Sequence, residues 1–226
     1  MPKLYDPLCN NLEISPRHDY NQAMNDQDFA TVLINAAFEL GGSEGWSRVS
    51  AAAAARHAGL SLAQARSLFP STIKILRQFG RQADAFALTN LMADGSPRDK
   101  LFDIILRRFD YLQTHRAGML ALLRFLPLCP ALALALAEMN IASMGWLLEA
   151  AGIEARGVQG ALKKRGLLVI WLYALKIWAQ DESADLSATM AAVDSALTKA
   201  ENLIGRFGGK APTADQTELA ENVSEN

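Results

Sequence analysis

Apolar residues recur along most of the chain at a spacing near 3.6, the period of helices with one buried face. From Asp26 onward, Phe29, Leu33, Ala36 and Leu40 fall at i, i+4, i+7 and i+11, and Gly41-Gly42 is expected to end that helix. Ser50 is placed to cap a short helix, AAAAARHA, that stops at Gly59. Ser61 is placed to cap a second, LAQARSLF, that stops at Pro70. Ser71 then opens a longer helix through Ile75, Leu76 and Phe79 toward Leu91. The loop Asp94-Gly95-Ser96-Pro97 follows, with Ser96 as cap and Pro97 at the first helical position. Further helices are expected over 98–113, 116–126, 130–151, 158–180 and 184–206. The last carries Leu186, Met190, Val193, Leu197 and Ile204 at heptad-like spacing. The run ALALALA at 131–137 alternates with period two, but Ala and Leu are strong helix formers and no strand pattern flanks it.

Composition supports an all-α chain. Of 226 residues 50% are hydrophobic and 20% charged, enough apolar material for a sizeable core. Leu and Ala dominate while β-branched residues are sparse. Four segments are expected: a loose arm over 1–25 containing Pro2, Pro7 and Pro16; a first helical unit over 26–94; a larger one over 95–210; and a tail over 211–226. That tail holds Asp215, Glu218, Glu221 and Glu225 with no base, the composition of a disordered acidic segment. Cys9 and Cys129 lie far apart, give no disulfide framework and fit a reducing cytoplasm. The N-terminus lacks the apolar run of a secretory signal. Residues 118–137 are apolar but broken by Arg124, Pro127 and Pro130. The apolar run at 166–179 contains Lys176 and is shorter than the roughly 20 residues of a membrane span. Both read as core or dimer helices, with a peripheral membrane contact left open.

The pair of short helices carries the most information. Two short helices joined by a tight glycine turn and followed by a longer amphipathic one form a helix-turn-helix, whose second helix enters a major groove. Charge agrees with that reading. Arg48, Arg56, Arg66, Lys74, Arg77 and Arg81 occur between 48 and 82 with no acid among them, although the whole chain has a net charge of −2. A solvated helical face is the plainer explanation of the same run.

The stretch from Val32 to Leu76 resembles the N-terminal domain of TetR-family transcriptional regulators. The matching elements are Ala36-Ala37, Gly45-Trp46, Ala58-Gly59-Leu60-Ser61 and Phe69-Pro70-Ser71. The resemblance implies an all-α homodimer with an N-terminal three-helix DNA-binding unit. It also implies a larger C-terminal domain that binds a small apolar ligand and forms the dimer. The family's recognition helix usually presents Gly or Ala, Thr and an aromatic, with Lys after Phe-Pro-Ser; here those positions hold Ala63, Gln64, Arg66 and Thr72. Arg66 and Lys74 are cations able to reach phosphate, and Gln64 and Arg66 match adenine and guanine edges respectively. The candidate DNA contacts are Arg48, Ser61, Gln64, Arg66, Ser67, Thr72 and Lys74.

A second resemblance is to the ninth coenzyme-Q biosynthesis protein family, which shares the TetR fold. It rests on Glu44-Gly45-Trp46-Ser47, Phe69-Pro70 without a following Lys, Met144, Trp146, Ala151-Gly152, the stretch from Trp178 to Asp185, and Thr189. It implies a lipid-binding accessory protein for ubiquinone synthesis that does not bind DNA.

Chemistry beyond binding is not indicated. The GRFGGKA stretch at 205–211 lacks the glycine and the Ser/Thr of a phosphate loop. His18, His57 and His115 are scattered without ligand spacing, so no metal, cofactor or catalytic residue is assigned. His57 reads as a surface or capping group. His115-Arg116 reads either as a plain helix start or as a contact to an anionic headgroup. Trp171, Leu175 and Trp178 fall at i, i+4 and i+7 on one face, and Met144 and Trp146 lie on another helix. They read either as core and dimer packing or as the wall of an apolar pocket. Arg124 is either that pocket's polar group or a snorkelling surface residue. The expected function is a cytoplasmic TetR-type regulator that binds an inverted repeat in double-stranded DNA as a homodimer under apolar-ligand control. The alternative is the lipid-binding accessory protein.

Overall fold

The structure is a computed structural model that describes residues 24–208. Most of the expected arm at 1–25, with Cys9 and His18, and the whole expected tail at 211–226 lie outside the described residues. Among the described residues the chain is helical, without strands, as expected. The helices are α1 (Asp26–Ser43), α2 (Ala51–His57), α3 (Leu62–Leu68), α4 (Thr72–Ala87), α5 (Pro97–Gln113), α6 (Arg116–Phe125), α7 (Pro130–Ala150), α8 (Gly157–Trp178) and α9 (Ser187–Gly208). Single 3₁₀ turns occupy Trp46–Arg48 and Leu126–Leu128. The period-two run at 131–137 lies inside α7, as the helix propensity of Ala and Leu requires.

The described residues form two compact units, 24–78 with 117–128 and 79–116 with 129–208. The joints therefore fall within α4 and at the start of α6, whereas the sequence pattern points to the 94–97 loop. Ser96 and Pro97 do start a helix there, and Ser96 and Asp99 exchange hydrogen bonds in a complete capping box.

In the first unit α1 is capped by Asn25, whose side chain accepts from the Asp28 amide at 2.9 Å. Contrary to expectation, Gly41-Gly42 does not end α1, which continues to Ser43. Gly41 is buried because the Trp46 indole lies on it: a Cβ there would sit 2.7 Å from ring atoms. The indole nitrogen donates to the Gly118 carbonyl at 2.8 Å, and the ring meets Phe38 edge-on at 5.1 Å. A Cβ on Gly118 would lie 2.4 Å from the Phe38 carbonyl oxygen, so the α1 and α6 backbones touch where only glycine fits.

The core of the second unit joins Ile104, Ile105 and Phe109 of α5, Met144 and Leu147 of α7, Trp171, Ala174 and Trp178 of α8, and Val193 of α9. Phe109 stacks on Trp171 with centroids 4.6 Å apart and lies 6.1 Å from Trp178. Arg98 of α5 reaches Asp194 of α9 at 2.6 Å.

The turn into α9 is organised by Asp181. Its carboxylate accepts from the amides of Ser183 and Thr189 and from both hydroxyls. This loop delays α9 to Ser187, three residues later than the periodicity predicts, with Leu186 at φ +54°. Arg116 donates to the Trp178 and Asp181 carbonyls at 3.2 and 2.8 Å and lies 4.8 Å over the Trp178 ring. Trp178 in turn donates its indole N–H to Gln113 at 3.0 Å. Burial opposes charge on Asp181, but the hydrogen bonds from Ser183 and Thr189 outweigh it and hold the carboxyl down at about 2.

A carboxyl depressed in the folded state stabilises the fold above its unfolded pKa and loses that contribution as pH falls toward the folded one. Asp181→Asn is expected to cost about 1.5–3 kcal/mol at neutral pH, as for a hydrogen-bonded charge. The gap between wild type and variant in urea unfolding is expected to close between about pH 4 and pH 2. A pH-independent gap would contradict this role.

Candidate nucleic-acid interface

The α2–α3 pair is built from local signals. The Ser50 hydroxyl accepts from the Ala53 amide at 3.1 Å and the Ser61 hydroxyl from the Gln64 amide at 3.4 Å. Between the helices Gly59 adopts φ +67° with nothing near its would-be Cβ, so backbone conformation rather than space requires glycine. The turn closes with the Leu60 amide on the Ala55 carbonyl at 2.8 Å. Ala65 and the following Phe69 are buried and hold α3 in the unit.

That anchoring leaves Leu62, Ala63, Arg66 and Ser67 exposed, with Leu62 at 48%. Ser61 is half-buried as a cap. Gln64 is half-buried and donates to Asp26 at 3.0 Å, so in the free chain its amide is already engaged. Arg66 reaches the Pro70 carbonyl at 3.3 Å. Lys74 and Arg48 are exposed, the latter 3.9 Å from Glu44. Thr72 is half-buried and donates to the Val49 carbonyl at 3.1 Å, tying α4 to the residue before the Ser50 cap. A cleft of about 430 Å³ lies between these helix starts, bordered by Ser50, Leu62, Arg66, Pro70, Ser71 and Thr72. His57 is exposed at the end of α2, 3.3 Å from Glu39.

The candidate ligand residues of the second unit do not share one environment. Met144, Trp171, Leu175 and Trp178 are buried in the second unit's core, while Trp146 is 67% exposed on another face of α7. Arg124 belongs to the first unit and is exposed. The reason is helical phase: Gly118, Met119 and Leu122 form the buried stripe of α6, and Arg124 lies off it.

Among the described residues of the second unit the buried cation is Arg108, at 4% exposure. Its guanidinium lies 4.4 Å over the Trp171 ring, its Nε is 3.2 Å from Asp84 Oδ1, and one Nη2–H donates to Asn140 at 3.2 Å. Asp84 also accepts from the Ser143 hydroxyl. Burial lowers the Arg108 pKa from its ordinary value, and the Asp84 charge works the other way. A sequence signal for this existed: Leu101, Ile104, Ile105, Phe109 and Leu112 form a helical stripe on which position 108 falls. Among the described residues no group of three His, Cys, Asp or Glu side chains is placed to hold a metal ion.

No family model and no curated protein matches the sequence. Solved structures do match. A TetR transcriptional regulator from Nitrosomonas europaea superposes with a TM-score of 0.62 at 21% identity, covering 76% of this chain and 98% of that one. The chain has the TetR fold. A TetR-family regulator from Streptomyces coelicolor agrees, with a TM-score of 0.52, 18% identity, and coverage of 80% and 87%. The α2–α3 pair is thus part of a fold that the sequence resemblance anticipated.

Ser61→Ala is expected to lower stability by about 1 kcal/mol, as for loss of a helix N-cap, measured by urea unfolding. An unchanged midpoint would mean that α3 is held by Ala65 and Phe69 alone.

Proposed function

We propose that this protein is a DNA-binding transcriptional regulator that acts as a homodimer, with a small apolar ligand in the second unit controlling it. The observation that carries the reading is the capped α2–α3 pair, exposing Leu62, Ala63, Arg66 and Ser67 within a stretch of six bases and no acids. On this reading α3 enters a major groove, where Arg66 meets guanine or phosphate. Ser61 and Ser67 flank that contact on α3. Lys74 and Arg48 neutralise phosphates, and Thr72 supports the seat of α4 instead of contacting DNA. Gln64 reads adenine once it leaves Asp26. No catalytic step is assigned.

Support for the homodimer comes from α8. Val158, Leu162, Val169 and Leu172 are 89, 72, 67 and 51% exposed at spacings of four, seven and three, an apolar stripe with a heptad period. Arg165 stands between Leu162 and Val169 on this stripe, but four such exposed apolar residues call for cover, and a second copy would pair two α3 helices with two half-sites of an inverted repeat.

The lipid-binding reading draws on α7. It is long and apolar enough to cross a membrane by length and composition, with a mean hydropathy of 1.5 and 28% of its most apolar stretch buried. It also exposes Leu134 and Trp146, and two acids, Glu138 and Glu149, interrupt it.

Selection of genomic fragments by the purified protein at two salt concentrations separates the readings. One inverted-repeat fragment surviving the higher salt is the regulator's result; recovery of nothing specific favours the lipid reading. Arg66→Ala and Lys74→Ala are each expected to weaken DNA binding and to reduce the salt slope by about one, because each cation releases about one counterion. Unchanged slopes in both would remove those contacts. Val169→Glu is expected to shift sedimentation from dimer to monomer while the helical circular dichroism persists. A dimer that withstands it would place the interface elsewhere.

A further inference from the structure

Among the described residues of the second unit, the Arg108 guanidinium is the buried group with two nitrogens lacking a hydrogen-bond partner. It carries five N–H donors in a fixed fork. Nη2 is bonded to Asn140, and Nε faces Asp84 without hydrogen-bond geometry. Nη1 is buried with no hydrogen-bond partner among the described residues. A buried donor left unpaired is costly, so anything that brings an acceptor to Nη1 is favoured by the desolvation already incurred. We propose that Arg108 and the Trp171–Phe109 stack form the recognition end of a ligand site, which takes an apolar, ring-bearing molecule with a neutral carbonyl acceptor. The inference rests on the ligand-controlled reading above and names the ligand's chemistry.

Two physical arguments fix that class. Asp84 already supplies a negative charge 3.2 Å from Arg108, so the site has no cationic excess for a carboxylate to neutralise. A second carboxylate at Nη1 would face Asp84 across a few ångströms of weakly screening interior, where repulsion between like charges is large. A carbonyl oxygen accepts the same hydrogen bond without that repulsion. The body of the ligand follows from the surroundings. Phe109 and Trp171 lie nearly parallel at 24°, and the neighbours of Arg108 on its own helix face are Ile104, Ile105 and Leu112, all buried. Both rings are buried and Trp171 already carries Arg108 and Phe109, so a flat ring enters by displacing packed side chains and is then held in the offset arrangements that aromatic pairs prefer.

The test uses the full chain, without DNA, and three probes of similar shape: 2-acetylnaphthalene, 2-ethylnaphthalene and 2-naphthoate, with binding read by equilibrium dialysis. The expected result is that the ketone binds about tenfold tighter than the hydrocarbon, the worth of one well-made hydrogen bond. The naphthoate is expected to bind more weakly than the ketone. Arg108→Lys keeps a cation for Asp84 but loses the fork, and is expected to abolish the preference for the ketone over the hydrocarbon. Asp84→Asn removes the repulsion, and is expected to reverse the order of ketone and acid. Equal binding of ketone and hydrocarbon to the wild type, tightest binding of the acid, or no binding of any probe would each overturn the proposal. If neither variant folds, the order of the three probes on the wild type decides alone. Because DNA is absent, the result stands apart from the regulator reading. Ketone binding that leaves affinity for a selected DNA fragment unchanged would remove ligand control while keeping the site.

Discussion

The first unit depends on a contact between main chains. Gly118 of α6 is pressed onto the Phe38 carbonyl of α1 so closely that a methyl group would stand 2.4 Å from it. The Trp46 indole lies across Gly41 and donates to the Gly118 carbonyl, locking the same joint from its other side. Residues 117–128 are thereby recruited into a unit otherwise made from 24–78. The α2–α3 pair depends on this arrangement. Each of its helices has only seven residues, too short to persist in water without tertiary packing. Their anchors, Ala54, Ala55, Ala65 and Phe69, need a fixed α1 to pack upon.

Much of this was legible because local chemistry marks helix ends. Ser50, Ser61 and Ser96 each cap the helix that the pattern assigned to them, and the Gly59 turn has the positive φ that its position implies. The misplaced ends are those where a distant partner overrides a local signal. Gly41-Gly42 looks like a helix stop, but an indole covers Gly41 and α1 runs on. Ala184 looks like the first turn of α9, but Asp181 collects the Ser183 and Thr189 donors and holds the chain out of the helix until Ser187. Neither partner can be inferred from a period of 3.6.

The candidate residues were less legible than the fold because residue type does not fix exposure. Trp146 and Trp171 both look like wall or core residues, and the structure exposes one and buries the other. Phase along each helix separates them, as it separates exposed Arg124 from buried Arg108. Charge in a sequence suggests surface, so Arg108 in LRRFD passes unnoticed beside Arg107. Its place on the apolar stripe of α5 is the only clue. Gln64 shows the complementary limit. Its position on α3 suits base reading, yet the fold brings Asp26 of α1 within reach to hold its amide.

Among its described residues the second unit buries Arg108 and Asp181 and treats them in opposite ways. Asp181 receives four donors from Ser183 and Thr189, and its own carbonyl accepts from Arg116. A carboxylate so fully satisfied behaves as structure: it fixes a turn and gains little from any newcomer. Arg108 has one hydrogen bond to Asn140, an ion pair with poor alignment, a ring beneath it and a donor without a partner. A half-satisfied buried group is a poor stabiliser, because the interior that strengthens its bonds also magnifies the cost of the bond not made. That residual cost is recovered by any acceptor brought to Nη1, a ligand's carbonyl included. A protein that needed only stability at this position would do better with an apolar side chain of similar volume. The presence of a guanidinium there, stacked on Trp171 and balanced by Asp84, is therefore best explained by recognition.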